Sequence, residues 1–260
     1  MAASPTSPQQ PLPLAGRVAL VTGGARGIGR AIVRKLAAAG CDVAVNYYSS
    51  HDEAERLCDE IEVTGRRAVP IQASVAEPDS VAELFGAFGR HFPSLDILIS
   101  NAASGVLKPV ESLTLKHWRW CLETNAFALA ELTRHAAPLM PPGSRIIAMS
   151  SLGAARTLPD YGFVGASKAA LESLVRSLAA ELAPRGIRVN AVSAGPVDTD
   201  ALRAFPHREH ILEEFAERSP AGIALKPEHV ADCVYLLCLP EAALINGHTL
   251  VVDGGYSVIG

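Results

Sequence analysis

Two side chains seven residues apart, Tyr161 and Lys168, form a pair that could deliver a proton. A phenol becomes a useful acid when a neighbouring ammonium favours the phenolate, which would depress the phenol's pKa. In a helix, seven residues return to the same face two turns away, a rise of roughly 10.5 Å. Helical side chains lean toward the N-terminus, which lets Lys168 reach back. Tyr161 is therefore expected at the helix entry, where Pro159 and Gly162 suit an irregular start. Val164 holds the position one turn before Lys168. Taken alone, the pair leaves two readings about even: a working acid, or an entry aromatic beside a lost active site.

A second constellation is the run Thr22-Gly23-Gly24-Ala25-Arg26-Gly27-Ile28-Gly29, which follows an apolar strand and opens a helix. Glycines let the backbone turn tightly and approach a pyrophosphate, while free N–H groups at the helix start favour an anion. Three glycines at this spacing make an ordinary strand-to-helix turn a poor explanation. Beyond the second strand lies Asn46-Tyr47-Tyr48-Ser49-Ser50, with no carboxylate to bind ribose hydroxyls. Asp42 precedes that strand, at its wrong end. Arg26 could form charge-assisted bonds to a phosphate, so the pattern favours NADPH over NADH.

These groups need a frame. Apolar runs at 17–22, 43–47, 68–72, 96–100, 145–150, 187–193 and 249–252 predict seven strands. Helical spacing is expected at 28–39, 52–63, 78–90, 115–140 and 161–183. Apolar strands alternating with helices mean a parallel sheet covered on both faces. The expectation is an α/β, doubly wound, seven-stranded Rossmann fold in a single domain over 15–260. Residues 198–227 read as a helical flap beside the carboxyl ends of the strands. Its Leu202, Phe205, Ile211, Leu212 and Phe215 could cover a substrate or pack permanently on the core. Residues 1–14, rich in Pro, Ser and Gln, read as a disordered leader without a secretory apolar core.

A net charge of −4 gives no reason to expect nucleic acid or an anionic membrane as partner, and no apolar run reaches spanning length. Five cysteines without metal-ligand spacing read as reduced thiols in a cytoplasmic protein, with no metal site.

The spacing T-G-x3-G-x-G resembles that of the short-chain dehydrogenase/reductase superfamily, and the resemblance spans residues 15–260. Asn101-Ala102-Ala103, Asn125, Ser151, the segment from Asn190 to Thr199 and Asp253-Gly254-Gly255 all match its elements, with Ala194 in place of a proline. The superfamily usually has a Tyr where Val164 stands. The wider Tyr-x6-Lys pattern is similar to that of the NADPH-dependent enoyl-[acyl-carrier-protein] reductases within it. Segments 101–109, 117–120, 150–153, 164–172, 198–202 and 205–209 also look like that branch.

The resemblance implies catalytic roles for Tyr161, Lys168, Ser151 and Asn125, with Asn125 bending a helix and holding a relay water. It implies cofactor contacts from Gly23, Arg26, Gly27, Ile28, Gly29, Asn46, Tyr47, Ser74, Val75, Asn101, Ala102, Lys168, Gly195, Val197 and Thr199. The expected activity is NADPH-dependent reduction of an enoyl thioester in fatty-acid or polyketide-type biosynthesis, and the resemblance suggests a homotetramer built partly on the two long helices. A carbonyl reductase and a catalytically silent NADP(H)-binding protein are the competing readings. Arg203, His207 and Arg208 could meet an acidic acyl-carrier protein, although Glu209, Glu213 and Glu214 weaken that idea. Trp118 and Trp120 read as helix-packing residues.

Overall fold

The computed structural model describes residues 12–200, 202–204 and 208–259. The expectations placed on leader residues 1–11 and on Ala201, Phe205 and His207 lie outside the described residues. Seven strands form one sheet: β1 Val18–Val21, β2 Asp42–Tyr47, β3 Ala68–Gln72, β4 Ile97–Ser100, β5 Arg145–Ser151, β6 Arg188–Ala194 and β7 Thr249–Val252. Their order is β3-β2-β1-β4-β5-β6-β7, and every neighbouring pair is parallel. β1, β4 and most of β2, β5 and β6 are buried, as a sheet covered on both faces requires.

On one face lie α1 Gly27–Ala38, α2 His51–Glu62 and α8 Pro227–Cys238, whose Ile32, Leu36, Leu57 and Val234 share a core with Val21 and Val45. On the other lie α3 Pro78–His91, α4 Leu115–Leu122, α5 Ala128–Ala136 and α6 Gly162–Leu182, where Phe88, Leu129 and Leu171 pack beneath Leu20 and Leu98. α7 Arg208–Arg218 belongs to the segment read as a flap. The α/β, doubly wound, seven-stranded layout is the one expected, with strand boundaries within about two residues.

Three details depart from expectation. The ordered body begins before residue 15. Leu14 is fully buried in the first core, and its N–H donates to Ala39 O at 2.9 Å. The long helix predicted over 115–140 is interrupted by a π-helical turn, Glu123–Phe127, and ends in a 3₁₀ turn at Ala137–Leu139, where Pro138 cannot continue the hydrogen-bond ladder. Finally, α8 adds a helix that the sequence reading left unassigned; Pro227 opens it and Val230, Ala231, Val234 and Leu237 bury one face against α1 and the sheet. No helix among the described residues is long and apolar enough to cross a membrane.

Candidate active site

The strand order reverses between β1 and β4, and ligands bind such sheets in the crevice at the carboxyl ends beside the reversal. The glycine turn stands there. Thr22, fully buried, donates from Oγ1 to Ile99 O at 3.2 Å and accepts from the N–H groups of Asn101 (2.9 Å) and Ala102 (3.0 Å). Asn101 Nδ2 donates to Thr22 O at 2.9 Å and to Gly23 O at 3.1 Å. A Cβ on Gly29 would overlap the Gly23 carbonyl oxygen and lie 2.7 Å from Asn101 Nδ2, so only glycine lets the first turn of α1 fold this closely onto the loop. Asn101 and Ala102, expected as cofactor contacts, thus spend these donors on building the turn.

Asn46 and Tyr47 likewise engage protein groups with their side chains. Asn46 is 1% exposed and donates to Ile71 O (3.2 Å) and Ala73 O (3.1 Å), tying the ends of β2 and β3 together. Tyr47 is buried with its hydroxyl 2.6 Å from His51 Nδ1. The neighbouring Tyr48, at 70% exposure, is the side chain that β2 presents to solvent beyond its carboxyl end. Residue alternation along a strand puts one of two adjacent tyrosines inward, and the sequence did not say which. Arg26, the residue before α1, is exposed. Asp42 accepts from Arg67 N–H at the opposite end of β2, away from the crevice. Ser74 donates its N–H to Ser80 Oγ at 2.9 Å, and Val75 is buried.

After β6, Gly195 N–H donates to Val252 O at 3.0 Å and Val197 is buried. Thr199 lies over Gly27, with its Cγ2 3.4 Å from the place of a Cβ there. Gly27, Arg30, Asp198, Thr199, Arg203 and Glu228 line a cavity of about 170 Å³ between α1 and the flap segment. Phe215 of α7 is buried against Gly195 and stacks on Tyr256 at 5.1 Å, so the helix is pinned to the core at this point. Leu202 is buried too. Arg203 pairs with Asp200 at 2.7 Å and Arg208 with Asp198.

The reacting end is built by β5 and α6. Three consecutive residues at the end of β5 each hold one residue of α6 or its entry. Met149 O accepts from Lys168 Nζ at 2.7 Å. Ser150 Oγ donates to Glu172 Oε1 at 2.5 Å. The Ser151 side chain is hydrogen-bonded to Tyr161, and it also caps the following 3₁₀ turn by accepting from Gly153 N–H at 3.2 Å. Tyr161 is the residue immediately before α6, as the seven-residue spacing requires.

The Tyr161 ring lies on Gly153: a Cβ there would overlap Cδ1 and stand 2.5 Å from Cε1. Burial pushes the Tyr161 hydroxyl above its ordinary pKa, the Ser151 hydrogen bond draws it back, and Cys121 adds to the rise. The net direction is up, not the depression expected from a lysine partner, because desolvation disfavours the phenolate. Lys168 is 5% exposed, and burial lowers its pKa to about 8, with Glu172 acting in the opposite direction.

Asn125 sits in the π-helical turn. Its Oδ1 accepts from Ser104 N–H (2.9 Å), and Nδ2 donates to Ser104 O (2.8 Å) and to Ser167 Oγ (2.8 Å). The side chain therefore clamps the loop after β4 to the second turn of α6, and the π-helical turn at Asn125 is the bend that the resemblance implied. Val164 fills the slot one turn before Lys168 and packs against Gly105, where a Cβ would overlap Val164 Cγ2. Trp118 is half-exposed and meets Phe163 edge-on at 5.1 Å, and Trp120 is exposed.

A family model described as "Enoyl-(Acyl carrier protein) reductase" matches residues 23–257. The chain is 37% identical to 1-cyclohexenylcarbonyl-CoA reductase of Streptomyces collinus, across 94% of this chain and 88% of that protein. It is 36% identical to the hydroxynaphthalene reductase-like protein Arp2 of Metarhizium brunneum, across 96% and 98%. A solved short chain dehydrogenase from Burkholderia cenocepacia J2315, in complex with NADP, superimposes with a TM-score of 0.88 at 37% identity, covering 94% of this chain and 99% of that one. The crevice at the strand reversal, the glycine turn and the matched span of 23–257 lead to one assignment: the chain belongs to the short-chain dehydrogenase/reductase family of oxidoreductases.

Proposed function

We propose that this chain is an NADPH-dependent reductase of enoyl thioesters. The observation that carries the reading is the placement of Tyr161 at the entry of α6, bonded to Ser151, while Val164 closes the position one turn nearer Lys168. The relative named as a reductase of 1-cyclohexenylcarbonyl-CoA, a thioester conjugated to an alkene, supports this substrate class.

The cofactor cradle fits NADPH. The glycine turn brings the N-terminus of α1, a site favouring a pyrophosphate, to the crevice, Arg26 is exposed beside it, and residues 48–50 beyond β2 carry no competing acid. The relative solved with NADP supports the same choice. Bound NADPH supplies hydride to the β-carbon of the substrate.

Negative charge then develops on the thioester oxygen as an enolate, the Tyr161 hydroxyl donates a hydrogen bond to it, and a proton from solvent reaches the α-carbon to complete the saturated thioester. A phenol whose pKa is raised stays protonated at neutral pH, which suits donation without loss of the proton. Ser151 orients the phenol, Gly153 supplies the flat seat for its ring, and Lys168, fixed by Met149 O, presents its charge to the cofactor ribose.

NADPH oxidation with trans-2-enoyl thioesters, set against 3-ketoacyl thioesters, tests the reading: turnover confined to the ketones would overturn it. Carbonyl reduction is the second reading, kept open by relatives named for hydroxynaphthalene, which is not a thioester, and the same assay separates the two. Tyr161→Phe is expected to cut turnover of the enoyl thioester by about a hundredfold or more while leaving NADPH affinity nearly intact.

A further inference from the structure

We propose that Glu172 is a positioning residue for Lys168, an anchored counter-charge that keeps the ammonium seated at the end of β5. The inference rests on the reading of Lys168 as part of the working site. Its basis is a pair of adjacent contacts. Met149 O holds Lys168 Nζ at 2.7 Å, and the next residue, Ser150, donates to Glu172 Oε1 at 2.5 Å. Lys168 and Glu172 are four residues apart on α6, so their side chains share one face a single turn apart. Two neighbouring groups of one strand thus fix the cation and the anion independently. Ser150 is buried, and its hydroxyl gives the carboxylate a set place at little entropic cost.

The cation needs this help. Lys168 is buried in the half of the site where β5 meets α6, and its ammonium donates to a neutral carbonyl, Met149 O. Desolvation disfavours an ammonium there, and Glu172 opposes that effect. The elements packed on α6 bring other titratable groups: Tyr161 at its own entry, Cys121 and Glu123 from α4 and the π-helical turn, and Glu131 from α5. Arg145 and Arg188 stand at the far ends of β5 and β6. Among all of them, the charge that acts on Lys168 is that of Glu172.

The chain has five lysines, few enough for each to be followed by NMR in protein carrying isotope-labelled lysine, with Lys168→Arg identifying the signal. In Glu172→Gln, the midpoint of the Lys168 titration is expected to fall by about one pH unit, roughly tenfold in proton affinity. Glu172→Asp should stay closer to the parent. An unmoved midpoint in folded Glu172→Gln overturns the proposal, since a residue that only packs would not shift a titration. Should Glu172→Gln fail to fold, Ser150→Ala carries the test. Freeing the carboxylate is expected to lower the midpoint by roughly half a unit, and no movement there overturns the proposal equally. The titration uses no acyl substrate, so its failure is distinct from a failure of enoyl-thioester turnover.

Discussion

Val164 packs its Cγ2 methyl onto the bare face of Gly105, in the loop that follows β4, with Cys121 Sγ 3.2 Å from the same spot. The site has therefore been closed at the position one turn before Lys168. Putting a tyrosine there means displacing the loop that Asn125 clamps. The double variant Tyr161→Phe/Val164→Tyr is expected to recover no turnover. Val164→Tyr alone should cost about 1–3 kcal/mol by overpacking, read from denaturant unfolding. Recovery of activity in the double variant would show that the four-residue spacing is still open.

Gly153 is the seat of the Tyr161 ring. In Gly153→Ala the added methyl must push either the ring or the backbone of the turn, because Cε1 lies 2.5 Å from its position. The expected result is a fall in kcat of about tenfold or more with KM for NADPH nearly unchanged, since a misplaced donor loses transition-state contact rather than cofactor binding. Steady-state kinetics with both substrates varied checks the split.

Asn125 makes three side-chain hydrogen bonds across the π-helical turn. Asn125→Ala leaves the Ser104 N–H and carbonyl without these partners. It is expected to destabilise the fold by about 2–4 kcal/mol, measurable by urea unfolding. Thermal melts with and without NADPH should show the loss in both.

Lys168 gives a sign-definite pH effect. Its folded pKa is lowered from 10.5 to about 8, so the unfolded chain holds more protons between those values. Stability attributable to this group must rise as pH increases through that window, the penalty of a buried ammonium being full below it. The span amounts to about 3 kcal/mol. Cys41, Cys58 and Cys238 have raised pKa values and act in the opposite direction at higher pH. The clean measurement is therefore a difference: from pH 8 to 10 the unfolding free energy of the parent should rise relative to that of Lys168→Met. Parallel profiles would contradict a buried, deprotonating Lys168.

Between the start of α3, the end of α4 with its π-helical turn, and α6 lies a groove of about 840 Å³, lined by Pro78, Leu122, Ala126, Phe127, Ala170 and Leu174. A second copy of this chain is the occupant proposed for it, within the homotetramer suggested by the resemblance. Sedimentation equilibrium is expected to show a tetramer, and Phe127→Glu to lower the assembly state. A monomeric parent would refute this.

Much of the frame was legible because it depends on local pattern. Apolar runs such as Val18–Val21 and Ile97–Ser100 can only be interior strands, and Pro159 with Gly162 marked the entry of α6 around Tyr161. What stayed hidden depends on contacts between distant segments. Nothing near Asn46 says that its amide will bridge to Ile71 and Ala73; the bend at Asn125 was legible only through the resemblance, and its π-helical form was not. The direction of the Tyr161 shift was misjudged because burial is a property of the assembled site, whereas the lysine spacing is a property of the chain. Glu172 was visible as a residue but not as a neighbour of Ser150, 22 positions away. α8 could have been found from Pro227 and the recurrence of Val230, Val234 and Leu237.

The bond between Ser151 and Tyr161 closes a loop of chain whose middle, Ala155 to Thr157, is exposed to solvent. Surface loops ordinarily absorb insertions and deletions with little effect. This one is tethered at both ends to the reacting groups, so its length is as constrained as any buried segment. A residue added near Thr157, at an exposed position, would move the acid relative to the strand that aims it. Variation in this family is therefore expected to change the composition of this stretch far more readily than its residue count.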